Sequence, residues 1–277
     1  MYSEEKIYDV LNTIHNQSKP KPYFAICQPR RDASETPAQD FAGQYGGAFP
    51  LALENYSHTF LQVSGQPVDV ARNMLLQAAV DRDAKYAFFI GEDTVLPFYA
   101  FQELHRLAEA NPDAVISGVY YFKCGGPMIM IRDEENRQCL ADATPGKMIE
   151  NPLLCGLDVM LIPTAILKKM QENEPETPFT CVFPGNEKIR FVGEDDFFLT
   201  RLYRNGFRVL ITTDVQCLHM DLATGNYTAH PDVVLEDYNT CIPIGRPLTY
   251  RDKHYIDKRW NDRMPKPDYL IEENIEA

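Results

Sequence analysis

The sequence predicts an α/β fold in which mainly parallel strands form a central sheet flanked by helices. Between Tyr23 and Tyr121, short apolar runs rich in aromatic and β-branched residues alternate with segments of helical periodicity. This alternation is typical of parallel strands joined by right-handed crossovers. The chain has 277 residues, of which 44% are hydrophobic, enough for one large domain with a core of its own.

The first half is predicted to contain four strands and three helices. The strands end at glycine, proline or charged residues, a glycine pair interrupts the first helix, and proline opens the third. The second helix should present Val70, Met74, Leu75 and Ala78 as its apolar face. The predicted strands are Tyr23–Cys27, Thr59–Val63, Tyr86–Ile90 and Ala114–Tyr121, and the predicted helices are Ala38–Asn55, Val68–Asp83 and Pro97–Asn111.

The second half is predicted to be more mixed, with strands and helices in no simple alternation. Two helices are predicted, one opened by Pro163 and reaching about Asn173, the other covering Asp195–Asn205 and closed by Gly206 as C-cap. The predicted strands are Met128–Ile131 in a hairpin, Leu153–Ile162, Thr180–Phe183, and Phe207–Thr212 with Val215–His219 as its continuation. We expect residues 1–221 to form the domain and residues 222–277 an irregular tail.

Composition excludes several classes of protein. The net charge of -13 argues against binding nucleic acid by bulk electrostatics. Seven cysteines without paired spacing, and no signal pattern, predict reduced thiols in the cytoplasm, or in the host cytoplasm if the protein is viral. No apolar run approaches the roughly 20 residues that span a membrane. No glycine-rich dinucleotide fingerprint or P-loop is present.

The acids Glu92 and Asp93 follow the apolar run Tyr86–Ile90 after a single glycine, Gly91. Open α/β sheets bind ligands outside the carboxyl ends of their strands, so these side chains should face a ligand site. Adjacent carboxylates repel each other unless a cation holds them, and a divalent metal ion is the usual solution. The alternative interpretation is an exposed helix N-cap, for which an acid is also suited.

Three further features place polar side chains where predicted elements begin or end. Acids at positions 194–196 precede a helix with a buried face, which favours a rigid site, although simple capping would use the same residues. His219 follows a strand, where a histidine is more often structural than a ligand. Arg72, in the segment Asp69–Asn73, could meet a phosphate group, whereas most helical arginines are solvated.

The order and spacing of these features are more specific than any one of them. The relevant motifs are Ala71-Arg72-Asn73, Phe89-Ile90-Gly91-Glu92-Asp93, Ser117-Gly118-Val119-Tyr120-Tyr121, Cys155-Gly156-Leu157-Asp158, Gly193-Glu194-Asp195 and His219. Over about residues 20–221 this set resembles glycosyltransferases of the GT-A fold, especially the family 2-like branch, and the compact length also fits the phage-type branch. The resemblance implies a Rossmann-like mixed sheet, with a nucleotide-sugar half at about 20–125 and an acceptor half at about 126–221.

The resemblance also implies a metal ion, Mn²⁺ or Mg²⁺, that bridges the donor diphosphate. Asp93 matches the second acid of the family's Asp-x-Asp element, and His219 matches its later metal-binding histidine. The first acid of that element falls on Gly91, which has no carboxylate, and Glu92 fills the middle position near the donor. This departure puts the sugar and ribose contacts of the family in question.

The remaining matches concern catalysis and the nucleotide. Asp195 matches the general base of the family's Glu-Asp motif, with Glu194 beside it. A direct displacement by the acceptor hydroxyl, assisted by this single base, would invert the anomeric centre. Arg72 and Asn73, with Asp69, match a segment near the nucleotide. The implied activity is that of a hexosyl- or pentosyltransferase which moves a sugar from a nucleoside-diphosphate sugar, with UDP as the expected nucleotide, to an acceptor hydroxyl.

The acceptor and two other functions stay open at this point. A glycan or another hydroxylated molecule fits, and so does modified DNA, because some phage-type members glycosylate hydroxymethylated bases. The alternatives are a non-catalytic protein that binds nucleotide sugars or carbohydrate, which Gly91 favours, and a nucleotidyltransferase, which would normally carry a glycine-rich loop after its first strand. The tail is either a solvated segment or a lid. Basic residues are interleaved there with aromatic ones, among them Arg246, Tyr250, Arg251, Lys253, Tyr255, Lys258, Arg259, Trp260, Arg263 and Lys266.

Overall fold

The computed structural model of the chain describes residues 23–30, 56–97, 99–122, 126–182, 192–221 and 226–228. The predicted helix at 38–55 and almost all of the predicted tail, including the basic and aromatic residues named above from Arg246 to Lys266, lie outside these ranges. The strands are β1 (Phe24–Arg30), β2 (His58–Ser64), β3 (Tyr86–Ile90), β4 (Thr94–Val95), β5 (Ala114–Val119), β6 (Ile129–Arg132), β7 (Gln138–Leu140), β8 (Met148–Glu150), β9 (Leu154–Cys155), β10 (Val159–Pro163), β11 (Arg208–Gln216), β12 (Leu218–Asp221) and β13 (Asn226–Thr228). The helices are α1 (Val68–Asp81), α2 (Ala100–Ala110), α3 (Thr164–Asn173) and α4 (Glu194–Arg204).

A seven-stranded sheet in the order β2-β1-β3-β10-β5-β11-β8 forms the centre of the fold. Strands β2, β1, β3, β5 and β11 run in one direction, while β10 is antiparallel between β3 and β5, and β8 is antiparallel at one edge. The prediction of an α/β fold with a mixed, mostly parallel sheet is therefore confirmed. Because five strands share a direction, their carboxyl ends meet at one edge of the sheet.

Helices cover both faces of this sheet. Along β3, Phe89 packs on the face covered by α1, α3 and α4, whereas Phe88 and Ile90 pack on the face covered by α2. A strand buried on both faces has no reason to alternate apolar with polar residues, which explains why β3 is apolar throughout.

Helix α1 begins at Val68 as predicted, but its buried face was predicted only in part, since Leu75 is buried and Ala78 packs against the core. Val70 and Met74 are 39% and 51% exposed. The face that packs on the sheet consists of Ala71, Arg72, Leu75, Leu76 and Ala79. A hydrophobicity pattern assigns an arginine to the exposed face of a helix. The burial of Arg72 can be understood only when its carboxylate partners are known.

Two of the predicted strands in the second half differ from the structure, one because it is divided and one because it does not form in the described residues. The predicted strand Leu153–Ile162 is divided into β9 and β10, because β9 pairs with the β6–β7 hairpin whereas β10 enters the central sheet. The break is enforced at Gly156, where a Cβ atom would lie 1.5 Å from Oη of Tyr120. No strand forms over the described part of Thr180–Phe183, whose polar groups bind α1 instead.

Other local predictions are confirmed. Pro163 precedes α3, and Gly206 follows α4 with a φ of +78°, a conformation that suits glycine at a helix C-terminus. The hairpin predicted from Met128–Ile131 is formed by β6 and β7. In the described ranges, every helix is too short or too polar to span a membrane.

A three-stranded sheet, β13-β12-β4, lies after the carboxyl end of β3. None of its strands except β12 was expected, and β13 lies within the predicted tail. The pairing of β12 with β4 places His219 opposite Thr94, the residue after Asp93. This small sheet therefore brings the side chains of Asp93 and His219 close together, although they are far apart in the sequence.

Candidate functional site

A cleft of about 570 Å³ opens at the carboxyl edge of the central sheet. Its walls come from the ends of β1, β3 and β5, the loop before β10, the first turns of α1 and α4, and β12. Six of the eight predicted site residues line it, namely Arg72, Glu92, Asp93, Glu194, Asp195 and His219.

Asp93 and His219 form one pair in this cleft. Nε2 of His219 lies 3.2 Å from Oδ2 of Asp93, and both side chains are largely buried. The Nδ1–H group of His219 donates to the carbonyl oxygen of Tyr121, which orients the ring with Nε2 toward Asp93. Burial lowers the pKa of His219, but the Asp93 carboxylate and the Tyr121 carbonyl raise it by more, so the net pKa is above its usual value.

The chemistry of this pair fits a divalent cation that also binds substrate. A metal-ligating histidine usually donates its second ring N–H to a carbonyl or carboxylate, as His219 does to Tyr121. Within the described ranges, no group of three His, Cys, Asp or Glu side chains is arranged to hold a metal ion. Mg²⁺ is commonly held by one or two carboxylates together with substrate phosphates and water, and Mn²⁺ accepts similar ligands. Asp93 and His219 would thus supply part of a coordination shell.

Arg72 lies at the centre of a second group in the same cleft. Its Nη1 donates to Oδ1 of Asp195 at 2.5 Å and to Oε1 of Glu194 at 2.8 Å, and its Nη2 donates to Oδ1 of Asp158 at 2.8 Å. The arginine is only 3% exposed. A buried guanidinium with three carboxylate partners joins α1, α4 and the loop before β10 into one unit.

The acids of α4 are therefore not a simple cap. The helix has Gly193 at its N-cap position and no side-chain capping hydrogen bond. Glu194 and Asp195 bind Arg72 instead. The capping interpretation of Glu92 and Asp93 is wrong as well, since β4 follows them and α2 begins only at Ala100.

The environment of Asp195 changes its acidity. Burial raises the pKa of Asp195, the Arg72 guanidinium lowers it, and the carboxylates of Glu194 and Asp158 raise it again, with a result of about 7. For Arg72, burial lowers the pKa, but the three carboxylates more than offset this, and it remains a cation. A carboxylate with a pKa near 7 is suited to accept a proton at neutral pH.

Asp69 and Asn73 have other contacts than those expected of nucleotide-binding residues. Asn73 exchanges two hydrogen bonds with the backbone of Thr180, at 2.7 and 2.9 Å. Oδ2 of Asp69 accepts from the backbone N–H of Val182 at 3.2 Å. Neither Asp69 nor Asn73 is among the described residues that line the cleft. Both side chains instead fasten the segment that follows α3 onto α1.

Asp158 is a site residue that was not predicted from the sequence. It precedes β10, which runs opposite to β3, so it lies at the same sheet edge as Asp93. The motif Gly156-Leu157-Asp158 was a usable signal, because an acid beside a glycine-constrained turn adjoins a strand. It could not be interpreted without knowing that β10 is antiparallel.

No family model matches the chain, and no curated protein sequence matches it. Similar solved structures are A197 from STIV, GalNAc-T7 with UDP, GalNAc and Mn2+, and S. aureus TarS in complex with UDP-GlcNAc. Their identities to this chain are 19%, 9% and 13%, their TM-scores are 0.47, 0.44 and 0.39, and the matches cover 76%, 72% and 69% of it. The matches cover 95% of A197 but 43% of GalNAc-T7 and 56% of TarS, so this chain spans less than two thirds of the latter two. At TM-scores below 0.5 these similarities do not support a functional conclusion, which has to come from the residues of the cleft.

Proposed function

We propose that this chain is a metal-dependent glycosyltransferase that moves a sugar, a hexose or pentose, from a nucleoside-diphosphate sugar to an acceptor hydroxyl. UDP is the expected nucleotide. The observation that carries the proposal is that one cleft contains both a metal-type pair, Asp93 and His219, and a buried acid, Asp195, with a pKa of about 7. An inverting transfer from a diphosphate is assisted by a cation that stabilises the leaving group and by a base that takes the acceptor proton, and this cleft contains candidates for both.

The charge of the cleft supports a cation. Among the residues that the structure describes, five carboxylates line it, from Glu92, Asp93, Asp158, Glu194 and Asp195. The lining arginines are Arg30 and Arg72, and Arg72 is engaged by three of the carboxylates. A diphosphate would be repelled from such a surface unless a divalent ion offset the charge.

The chemistry follows from these groups. Asp93 and His219 would hold Mn²⁺ or Mg²⁺, which when bound stabilises the negative charge of the departing diphosphate. Asp195 takes the proton of the acceptor hydroxyl as its oxygen attacks the anomeric carbon. Arg72 holds Asp195 in place through its Nη1 atom. Attack by one acceptor oxygen opposite the leaving group inverts the anomeric centre, and a product that retained the configuration would refute this step.

The negative charge of the cleft also affects which acceptor can bind. A neutral glycan or another hydroxylated small molecule can approach five carboxylates without electrostatic cost. The phosphates of modified DNA would be repelled by them. We therefore favour a neutral acceptor.

Metal-dependent donor hydrolysis tests the proposal directly. The purified chain is incubated with a panel of nucleoside-diphosphate sugars, with and without Mn²⁺, and release of free sugar and nucleotide is measured. We expect slow hydrolysis of at least one donor, dependent on Mn²⁺, and lost in Asp93→Ala. Asp195→Asn should lose transfer to an acceptor. Glu134→Gln, an exposed acid in the β6–β7 turn, is the matched control and should retain full activity.

Other results would point to the alternatives. Binding of a nucleotide sugar with no turnover under any condition would favour a non-catalytic binding protein. Formation of pyrophosphate from a nucleoside triphosphate and a sugar phosphate would favour a nucleotidyltransferase. Either result would overturn the proposal.

A further inference from the structure

Position 91 has no side chain because Asp158 occupies the space. A Cβ atom added to Gly91 would lie 2.9 Å from Cγ and 3.0 Å from Cβ of Asp158, and 2.7 Å from Oγ1 of Thr94. The backbone N–H of Gly91 donates to the carbonyl oxygen of Asp158 at 3.0 Å, which fixes this close approach. A carboxylate is thus present beside the turn that carries Glu92 and Asp93, although it comes from the loop before β10, far along the chain.

The carboxylate of Asp158 has one oxygen engaged and one available. Oδ1 accepts from Nη2 of Arg72 at 2.8 Å. Across the part of the chain that the structure describes, Oδ2 has no hydrogen-bond donor, and the side chain lines the cleft with 20% of its surface exposed. A carboxylate that lines a partly buried cleft and has one oxygen without a donor accepts hydrogen bonds strongly, so a ligand hydroxyl there would be favoured.

The position of Asp158 indicates that it would contact the sugar part of the donor. Gly91 connects it to the turn that carries Asp93, and Arg72 connects it to Asp195. Asp158 therefore lies between the metal-type pair and the buried acid. A donor whose diphosphate is near Asp93 and whose anomeric carbon is within reach of an acceptor on Asp195 must place its sugar ring in this interval.

A metal-binding role for Asp158 is not supported by the geometry. Within the described ranges, it does not form a three-ligand cluster with Asp93 and His219. A carboxylate near a metal site but outside its ligand set is free to bind hydroxyl groups.

We propose that Asp158 is a specificity-determining residue, which recognises a hydroxyl group of the transferred sugar through Oδ2. The side chain of Asp158 occupies the space that a side chain at position 91 would fill. The inference rests on the proposed function, because it presumes a nucleotide sugar in the cleft, and it adds the residue that distinguishes one sugar from another.

The test compares Asp158→Asn with the unaltered protein, using UDP and the UDP-sugar that the unaltered protein hydrolyses, each with Mn²⁺, by titration calorimetry. We expect the dissociation constant for UDP to change less than about threefold, and that for the UDP-sugar to rise about 10- to 100-fold, the range for a hydrogen bond to a charged group. Equal losses for UDP and UDP-sugar would refute the assignment.

Deoxy-sugar donors exclude an indirect effect through Arg72. In the unaltered protein, removal of the recognised hydroxyl should weaken binding about tenfold or more, and in Asp158→Asn the same removal should have little further effect. Asp195→Asn also removes a carboxylate charge from the partners of Arg72 but should keep the full deoxy-sugar penalty. If every deoxy donor shows the same penalty in Asp158→Asn as in the unaltered protein, Asp158 does not recognise the sugar. If the unaltered protein binds UDP but no UDP-sugar at all, the proposed function fails as well.

Discussion

Nη1 of Arg72 lies 2.5 Å from Oδ1 of Asp195, although 123 residues separate them in the sequence. The contact joins the first turns of α1 and α4 at the carboxyl edge of the sheet, and both side chains are buried. The same guanidinium holds Glu194 and Asp158. Without the Arg72 cation, three carboxylates would repel one another in a partly dehydrated site. The resulting loss of stability is larger than the net stabilisation that the intact ion pairs provide.

Arg72→Met tests this argument, since it removes the charge and keeps much of the apolar stem. We expect it to lower the free energy of unfolding by about 3 to 5 kcal/mol at alkaline pH. Urea unfolding followed by circular dichroism measures the change. Arg82→Met, an exposed arginine at the end of the same helix, is the matched control and should change stability little. Equal losses in both variants would contradict the argument.

The loss in Arg72→Met should also depend on pH. The pKa of Asp195 is about 7 in the folded protein and about 3.9 in an unfolded chain. Because the folded pKa is the higher one, the contribution of this group to stability is largest below pH 4 and is lost as the pH rises to about 7. Arg72→Met raises that pKa further, so its destabilisation should be smaller at about pH 5 than at about pH 8. A loss that is equal at both pH values would show that charge is not its cause.

The pKa of Asp195 also predicts the pH profile of transfer. A base acts only when ionised, so kcat/KM should fall about tenfold for each pH unit below about 7 and level off above it. Asp158→Asn removes a neighbouring negative charge that raises the pKa of Asp195, and the acidic limb should move to lower pH. Steady-state transfer at saturating Mn²⁺ measures both profiles. Mn²⁺ binding over the same pH range is the control, and a limb that follows the loss of Mn²⁺ binding would contradict this assignment.

The sequence was informative where function depends on local order, and less so where it depends on long-range contacts. Asp93 could be placed because it lies shortly after an apolar strand, and His219 because it follows another. Arg72 was left out of the buried face of α1 because its burial depends on acids from two distant segments. For the same reason the contacts of Asn73 could not be foreseen, because Thr180 is 107 residues away.

The pairing of His219 with Asp93 predicts the metal affinity of the site. His219→Ala should weaken Mn²⁺ binding in the presence of UDP by at least about tenfold, because one ligand is lost from a shell in which we identify two protein side chains. Titration calorimetry with Mn²⁺ measures the change. His58→Ala, an exposed histidine on β2, is the matched control and should keep normal affinity. Unchanged binding in His219→Ala would exclude the histidine from the metal site.

The close approach of Asp158 to Gly91 predicts an energetic coupling between them. Gly91→Ala should destabilise the protein by about 1 to 3 kcal/mol, because its methyl group would overlap Asp158 and Thr94. Asp158→Gly should make the same change at position 91 less costly, by about 0.5 to 3 kcal/mol, since it removes two of the three close atoms. Urea unfolding of both single variants and the double variant measures this coupling. If the two effects are simply additive, the side chain of Asp158 does not occupy the space at position 91, and its role as the substitute carboxylate would lose its structural basis.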